Sequence, residues 1–177
     1  MLETATLGLL QQEPLHGYRL KQKLELFMGS CISVNYGSIY PLLKRLEDRG
    51  LISVLLEEDG EAGSSRKIYS ITDAGIQRWK QKMLEHPQES WVNARSRFLI
   101  KYFFFNDLEV HERVKLINRR IMMCQLRLED PEIHEIVANE YQTNVLAYCK
   151  STIQAEIQWL RQQLAVEEER LMNCSYG

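Results

Sequence analysis

Apolar residues recur at helical spacing through the first fifty positions, switch to strand-like runs between residues 51 and 71, and then return to helical spacing. Leu2, Leu7, Leu9 and Leu10 mark a short helix that should end before Pro14, and Leu20, Leu24, Phe27 and Met28 mark a second reaching about Met28. A third helix is expected from an Asn35 cap to about Arg49. Its apolar residues Ile39, Leu42, Leu43 and Leu46 share one stripe about 100° wide, and Gly50 supplies a stop.

Leu51–Leu56 and Lys67–Ile71 are rich in β-branched and aromatic residues, and the stretch between them carries Gly60, Gly63, Ser64 and Ser65, so a β-hairpin with a long tip is expected. Thr72 and Asp73 open a fourth helix with Ile76, Trp79 and Met83 on one face, running down to Pro87. The pattern changes there, which divides the chain into domains 1–86 and 87–177. Beyond Pro87 all reads as helix: Trp91 to Phe105, about Leu108 to Leu128, and about Pro131 to Leu171, with Asp107 and Pro131 as boundary signals. The expected fold is mainly α with a small β-hairpin wing: an N-terminal winged helix-turn-helix domain and an all-α C-terminal domain.

Two stripes in the second half are seams for other helices. Val110, Val114, Ile117, Ile121, Cys124 and Leu128 form one, and Val145, Cys149, Ile153, Ile157, Leu160 and Leu164 the other. A helix of about 40 residues, some 60 Å long, finds little to lie against in one small domain. A second copy of the chain is the economical partner, and the stripe from Val145 to Leu164 is its expected interface.

Composition narrows the function classes. Hydrophobic residues are 45% and charged residues 26% of the 177, as in ordinary soluble proteins. No apolar run approaches the roughly 20 residues of a membrane-spanning helix. The first ten residues lack the basic start and cleavage site of a signal peptide, so a cytoplasmic location is expected. Cys31, Cys124, Cys149 and Cys174 show no metal-ligand spacing, and nor do His86, His111 and His134. Buried reduced thiols are favoured over a redox switch, and no metal or other cofactor is expected. Residues 1–86 hold 11 Lys plus Arg against 11 Asp plus Glu, a balance of zero. Any affinity for nucleic acid must therefore rest on where the charges lie.

Three helices followed by a hairpin is the order of a winged helix, whose third helix enters the major groove while the wing lies on the backbone. On the face opposite the apolar stripe stand Gly37, Pro41, Lys44 and Asp48, with Tyr40 and Arg45 flanking. Gly37 and Ser38, read as the first turn, would let a phosphate approach the positive helix end, and Tyr40 and Lys44 would reach phosphates or base edges. The bland reading of the same face is a solvated helix surface. Arg66 and Lys67 stand at the foot of the wing, while Glu57, Glu58, Asp59 and Glu61 would be repelled by DNA. Trp91, Phe98, Tyr102 and Phe103 could line a pocket for a small aromatic effector, although aromatics at this density more often form core. His16 reads as a cap or packing group. Neither a glycine-rich phosphate loop nor a nucleophile elbow stands in the chain, so an enzyme is not expected.

The first half resembles the PadR family of bacterial winged-helix regulators. The motifs are Leu7-Gly8-Leu9-Leu10, Pro14-Leu15-His16-Gly17-Tyr18, the run from Gly37 through Ser38, Ile39, Tyr40 and Pro41 to Leu46, Gly50-Leu51-Ile52, Arg66-Lys67-Ile68-Tyr69, and Ile71-Thr72-Asp73-Ala74-Gly75. The second half is similar to the helical C-terminal domain of the family's longer members. The resemblance implies a homodimer that binds a roughly palindromic operator, commonly represses a nearby promoter, and is released by a small molecule. By position it assigns DNA contact to Tyr18, Ser38, Tyr40, Lys44, Arg66 and Lys67; Gly37 and Arg45, from the outer face of the third helix, and Tyr36 complete the expected DNA-binding set. Asn35 and Tyr36 depart from the family, standing where many members have a small polar residue and a proline. The alternative is a winged-helix protein-interaction module that does not itself bind DNA.

Overall fold

A computed structural model describes residues 1–28, 36–59, 65–130 and 139–174. Two compact units result, Met1–Phe104 and Phe105–Gly177.

The first unit opens with α1 (Leu2–Gln12), a two-residue strand β1 (Leu15–His16) and α2 (Gly17–Met28). A 3-10 turn over Tyr36–Ser38 leads into α3 (Ile39–Asp48). The α-helix proper thus begins later than an Asn35 cap implies; Asn35 itself lies outside the described residues. Pro41 becomes the third residue of α3, where a missing N–H costs no helical hydrogen bond. Gly50 ends the helix at φ 67°, with its N–H on Glu47 O (2.9 Å) and that of Leu51 on Leu46 O (2.9 Å).

The wing consists of β2 (Ile52–Asp59) and β3 (Ser65–Ile71), antiparallel, with an irregularity between Val54 and Leu56. β3 also pairs with β1, Leu15 opposite Tyr69 and His16 opposite Ile68, giving the order β1-β3-β2. Helix α4 (Asp73–Leu84) is capped by Thr72, whose hydroxyl accepts from Gly75 N at 3.1 Å and donates to Gly50 O at 2.7 Å. It buries Trp79 and Met83. Ile76, expected on the same face, is 40% exposed: Gly75 occupies the close contact instead, its position leaving an added Cβ 2.1 Å from Leu51 O.

Helix α5 (Trp91–Phe103) completes this unit, so the compact body extends past residue 86. Three contacts hold it there. Arg97 forms a forked pair with Glu89 (2.6 and 3.0 Å), Lys101 Nζ donates to Glu85 O (2.5 Å), and the Phe104 ring lies edge-on to Trp79 at 6.3 Å. Phe104 also covers Gly8, where a Cβ would stand 2.7 Å from its ring.

Among its described residues the second unit is a helix pair, α6 (Val110–Glu129) and α7 (Glu140–Cys174); the start of the last helix expected at Pro131 lies outside the described residues. Ion pairs Arg113–Glu167 (3.3 Å) and Arg120–Glu156 (2.7 Å) descend one helix as they climb the other, so the two run antiparallel. At 1.5 Å per residue, the 20 residues of α6 span about 30 Å and the 35 of α7 about 52 Å. One helix therefore covers little more than half of the other.

Candidate nucleic-acid interface

The amphipathic pattern of α3 sorts its two faces. Ile39, Leu42, Leu43 and Leu46 are buried, whereas Gly37, Tyr40, Pro41, Lys44, Arg45 and Asp48 are exposed. Burying four aliphatic side chains, each contributing roughly 1.5–3 kcal/mol, fixes which face stays outside. Gly37 and Ser38 sit in the 3-10 turn ahead of α3, not in its first α-turn.

Helix α2 supplies a second group beside it. Tyr18 is 64% exposed. Gln22 Nε2 donates to the Tyr18 hydroxyl oxygen at 3.1 Å, and Arg19 Nη1 donates to Gln22 Oε1 at 3.2 Å. Because that hydroxyl already accepts from Gln22, its own proton is left to be donated outward, as a phosphate contact requires. Arg19 and Gln22 were not singled out from the sequence. Their spacing of one and four residues from Tyr18 on one helix was the available signal.

The zero net charge of the N-terminal segment conceals an uneven distribution. Glu3 pairs with Arg49 (3.5 Å) and Arg78 (3.2 Å), Glu25 with Lys21 (3.6 Å), Glu85 with Lys82 (2.6 Å), and Glu13 with Lys23. The hydrogen bond and charge of Lys23 hold the Glu13 carboxyl below its ordinary range, and Lys82 does the same to Glu85. Among the described residues, Arg19, Lys44 and Arg45 have no carboxylate partner. The cations without local compensation thus lie on the exposed faces of α2 and α3.

The wing is less clear-cut. Lys67 reaches Glu47 at the end of α3 (3.8 Å), so a phosphate there competes with an existing pair. In the β2–β3 register, Glu57 stands opposite Lys67 and Glu58 opposite Arg66. The Arg66 and Tyr36 side chains, and the wing tip from Gly60 to Ser64, lie outside what the structure describes.

The four aromatic residues expected to line an effector pocket do not share one environment. Phe98 is buried and its ring lies 6.1 Å from that of half-buried Tyr102; Trp91 is half-buried too. Phe103 is 51% exposed, because one residue along a helix turns the side chain 100° away from the Trp91–Phe98–Tyr102 stripe.

The long stripe on α7 also divides. Ile153, Ile157 and Leu160 are buried alongside α6, Leu164 is half-buried, and Val145 and Cys149 are exposed with Tyr141 and Tyr148. The six residues are therefore not one continuous surface for a second copy; the middle three already serve the chain's own core. Between the same two helices runs an open groove of about 660 Å³, lined by Gln125, Leu128, Ile157 and Arg161 among others. Among the described residues, no cluster of three His, Cys, Asp or Glu could hold a metal, and no helix is long and apolar enough to cross a membrane.

Residues 6–81 match the family described as "Transcriptional regulator PadR-like family". The negative transcriptional regulator PadR of Bacillus subtilis is 29% identical over 130 residues, covering 73% of this chain and 70% of that protein. Among solved structures, Bacillus subtilis PadR in complex with operator DNA is similar at 24% identity and a TM-score of 0.46, with 94% of this chain and 98% of that chain covered. The same protein in complex with p-coumaric acid gives 24% identity and a TM-score of 0.43, with 94% and 95% covered.

Proposed function

We propose that this chain, whose residues 6–81 match the PadR-like family of transcriptional regulators, is a repressor that binds a roughly palindromic operator as a homodimer. It works in the cytoplasm, where the DNA is, and as a regulator rather than an enzyme. The observation that carries the reading is the outer face of α3 with the first turn of α2: Tyr18, Arg19, Tyr40, Lys44 and Arg45 stand exposed, and the three cations have no carboxylate partner among the described residues. Ser38 and Gly37 lie at the entry of α3, where small side chains admit a phosphate. Lys44 and Arg45 neutralise phosphates or read guanine edges, and the tyrosine hydroxyls fix register on the backbone. Arg66 and Lys67 grip from the wing.

Dimerisation uses the part of α7 that α6 leaves bare, around Val145 and Cys149, with Tyr141 and Tyr148. A small aromatic effector, stacking on the exposed Phe103, lowers DNA affinity by binding one conformation better than the other. A second reading, a protein-docking winged helix, draws support from the acids that face Arg66 and Lys67 across the wing.

Binding of the purified chain to its own upstream DNA, by gel shift with unrelated duplex as competitor, tests the reading. Specific retardation that Tyr40→Ala and Lys44→Ala each weaken is expected. Retardation abolished by any competitor, or none with and without aromatic acids, favours the docking reading.

A further inference from the structure

The first residue of α2, Gly17, is buried, and it is absent from the set of DNA-contact residues named from the sequence. Its surroundings are specific. A Cβ built on Gly17 would lie 3.0 Å from Tyr40 Cε1, 3.7 Å from Tyr40 Cδ1 and 3.4 Å from Leu43 Cδ1. One edge of the Tyr40 ring therefore rests directly on the Gly17 backbone, while the ring as a whole is 55% exposed. Non-bonded carbons prefer about 3.5–4.0 Å, so a methyl group here must push the ring edge outward by a few tenths of an ångström.

The two neighbours of that methyl respond differently. Leu43 is fully buried but at 3.4 Å it is in near-ordinary contact. Tyr40 is hemmed in on one edge and open to solvent elsewhere, so it yields. Cε1 adjoins the carbon that bears the hydroxyl, and the hydroxyl moves with it. A hydrogen bond spans only about 0.5 Å between its short and long limits, so a shift of this order stretches and weakens the hydroxyl's bond to a fixed acceptor.

A second feature makes the seat rigid. Leu15 and His16, just ahead of Gly17, are paired to Tyr69 and Ile68 of the wing strand β3. The backbone on which Tyr40 rests is thus anchored to the sheet as well as to α2. Placement of the α3 tyrosine is tied to the base of the wing through two residues of strand.

Resting on the operator-binding reading above, we infer that Gly17 is a positioning residue for DNA recognition: its lack of a side chain seats Tyr40, which makes the contact. The substitution to test is Gly17→Ala, alone and combined with Tyr40→Ala, with operator affinity and thermal midpoint measured on the full chain for all four proteins. Gly17→Ala should lower affinity roughly tenfold, the order expected for one lost hydrogen bond to a charged acceptor. Its midpoint should stay near that of the parent. In the Tyr40→Ala background the same substitution should change affinity less than twofold, because the ring it displaces is gone. An equal loss in both backgrounds would mean that Gly17 acts on the fold or on DNA directly and would overturn the inference. So would parental affinity for Gly17→Ala when Tyr40→Ala binds weakly. If Tyr40→Ala itself binds as the parent does, the assignment of Tyr40 as a contact fails, a result distinct from failure of the seat. Should Gly17→Ala lower the midpoint, the comparison within the Tyr40→Ala background still decides, since a folding defect persists there and a displaced ring does not.

Discussion

The pair Arg120–Glu156 is the sharpest target for perturbing the second unit. Its side chains are 4% and 6% exposed and meet at 2.7 Å between α6 and α7. Changing Glu156 to Met leaves the buried Arg120 guanidinium without this counter-ion, which costs about 3–5 kcal/mol. A typical domain has only about 5–15 kcal/mol to lose. With a urea m-value of about 2 kcal/mol per molar, the midpoint should fall by about 1.5–2.5 M. Arg120→Met should do the same from the other side. The double substitution to Met at both positions removes the charges together, and because a buried pair is often replaceable by apolar groups, it should recover most of the loss. Urea unfolding of the four proteins, followed by circular dichroism, measures the coupling. Single variants within about 0.5 kcal/mol of the parent, or a double variant as unstable as the sum of the singles, would refute the reasoning that each buried charge depends on the other.

Other expectations follow from the first unit. Gly75→Ala puts a methyl 2.1 Å from a backbone oxygen that cannot swing away, so destabilisation at or above about 3 kcal/mol is expected in thermal melts; a parental melt would contradict the geometry. Thr72→Ala should cost about 1–2 kcal/mol through the lost cap, and Thr72→Ser should restore most of it; equal melts for the two variants would argue against the cap. Phe98→Ala should destabilise by about 3–5 kcal/mol as a core truncation, whereas Phe103→Ala, half in solvent, should leave the midpoint nearly unchanged. Calorimetric titration of the folded Phe103→Ala variant with aromatic acids that bind the parent should show weaker binding, and unaltered binding would remove Phe103 from the effector site.

What the sequence makes legible is whatever depends on near neighbours. The stripe Ile39–Leu46, the Gly50 stop, the Thr72 cap and the paired runs of the wing are all set within a few residues, and the structure shows each of them. β1 escaped notice because two residues carry no period; only β3, some fifty positions on, makes Leu15 and His16 a strand. Spacing puts Ile76 on one helix face with Trp79 and Met83, yet it is 40% exposed while Gly75 makes the close approach to Leu51. The α7 stripe reads as one seam, yet a 20-residue partner in the same chain claims its middle. Local charge sums hid the site for a similar reason: Glu3 is consumed by Arg49 and Arg78, both far along the chain, and only that pairing leaves Lys44 and Arg45 distinct.

The central claim is that unpaired cations on α3 meet phosphate or base edges of a duplex. Fluorescence anisotropy of a labelled operator, titrated with the full chain at several salt concentrations, tests it most directly. The parent should show a linear fall of log K against log salt, and Lys44→Ala should reduce that slope by about 0.9, one released counter-ion per neutralised phosphate. A contact made only to a base edge would instead lower affinity and relax sequence preference at one position. An affinity independent of salt, or a Lys44→Ala variant unchanged in affinity, slope and sequence preference, would contradict the account.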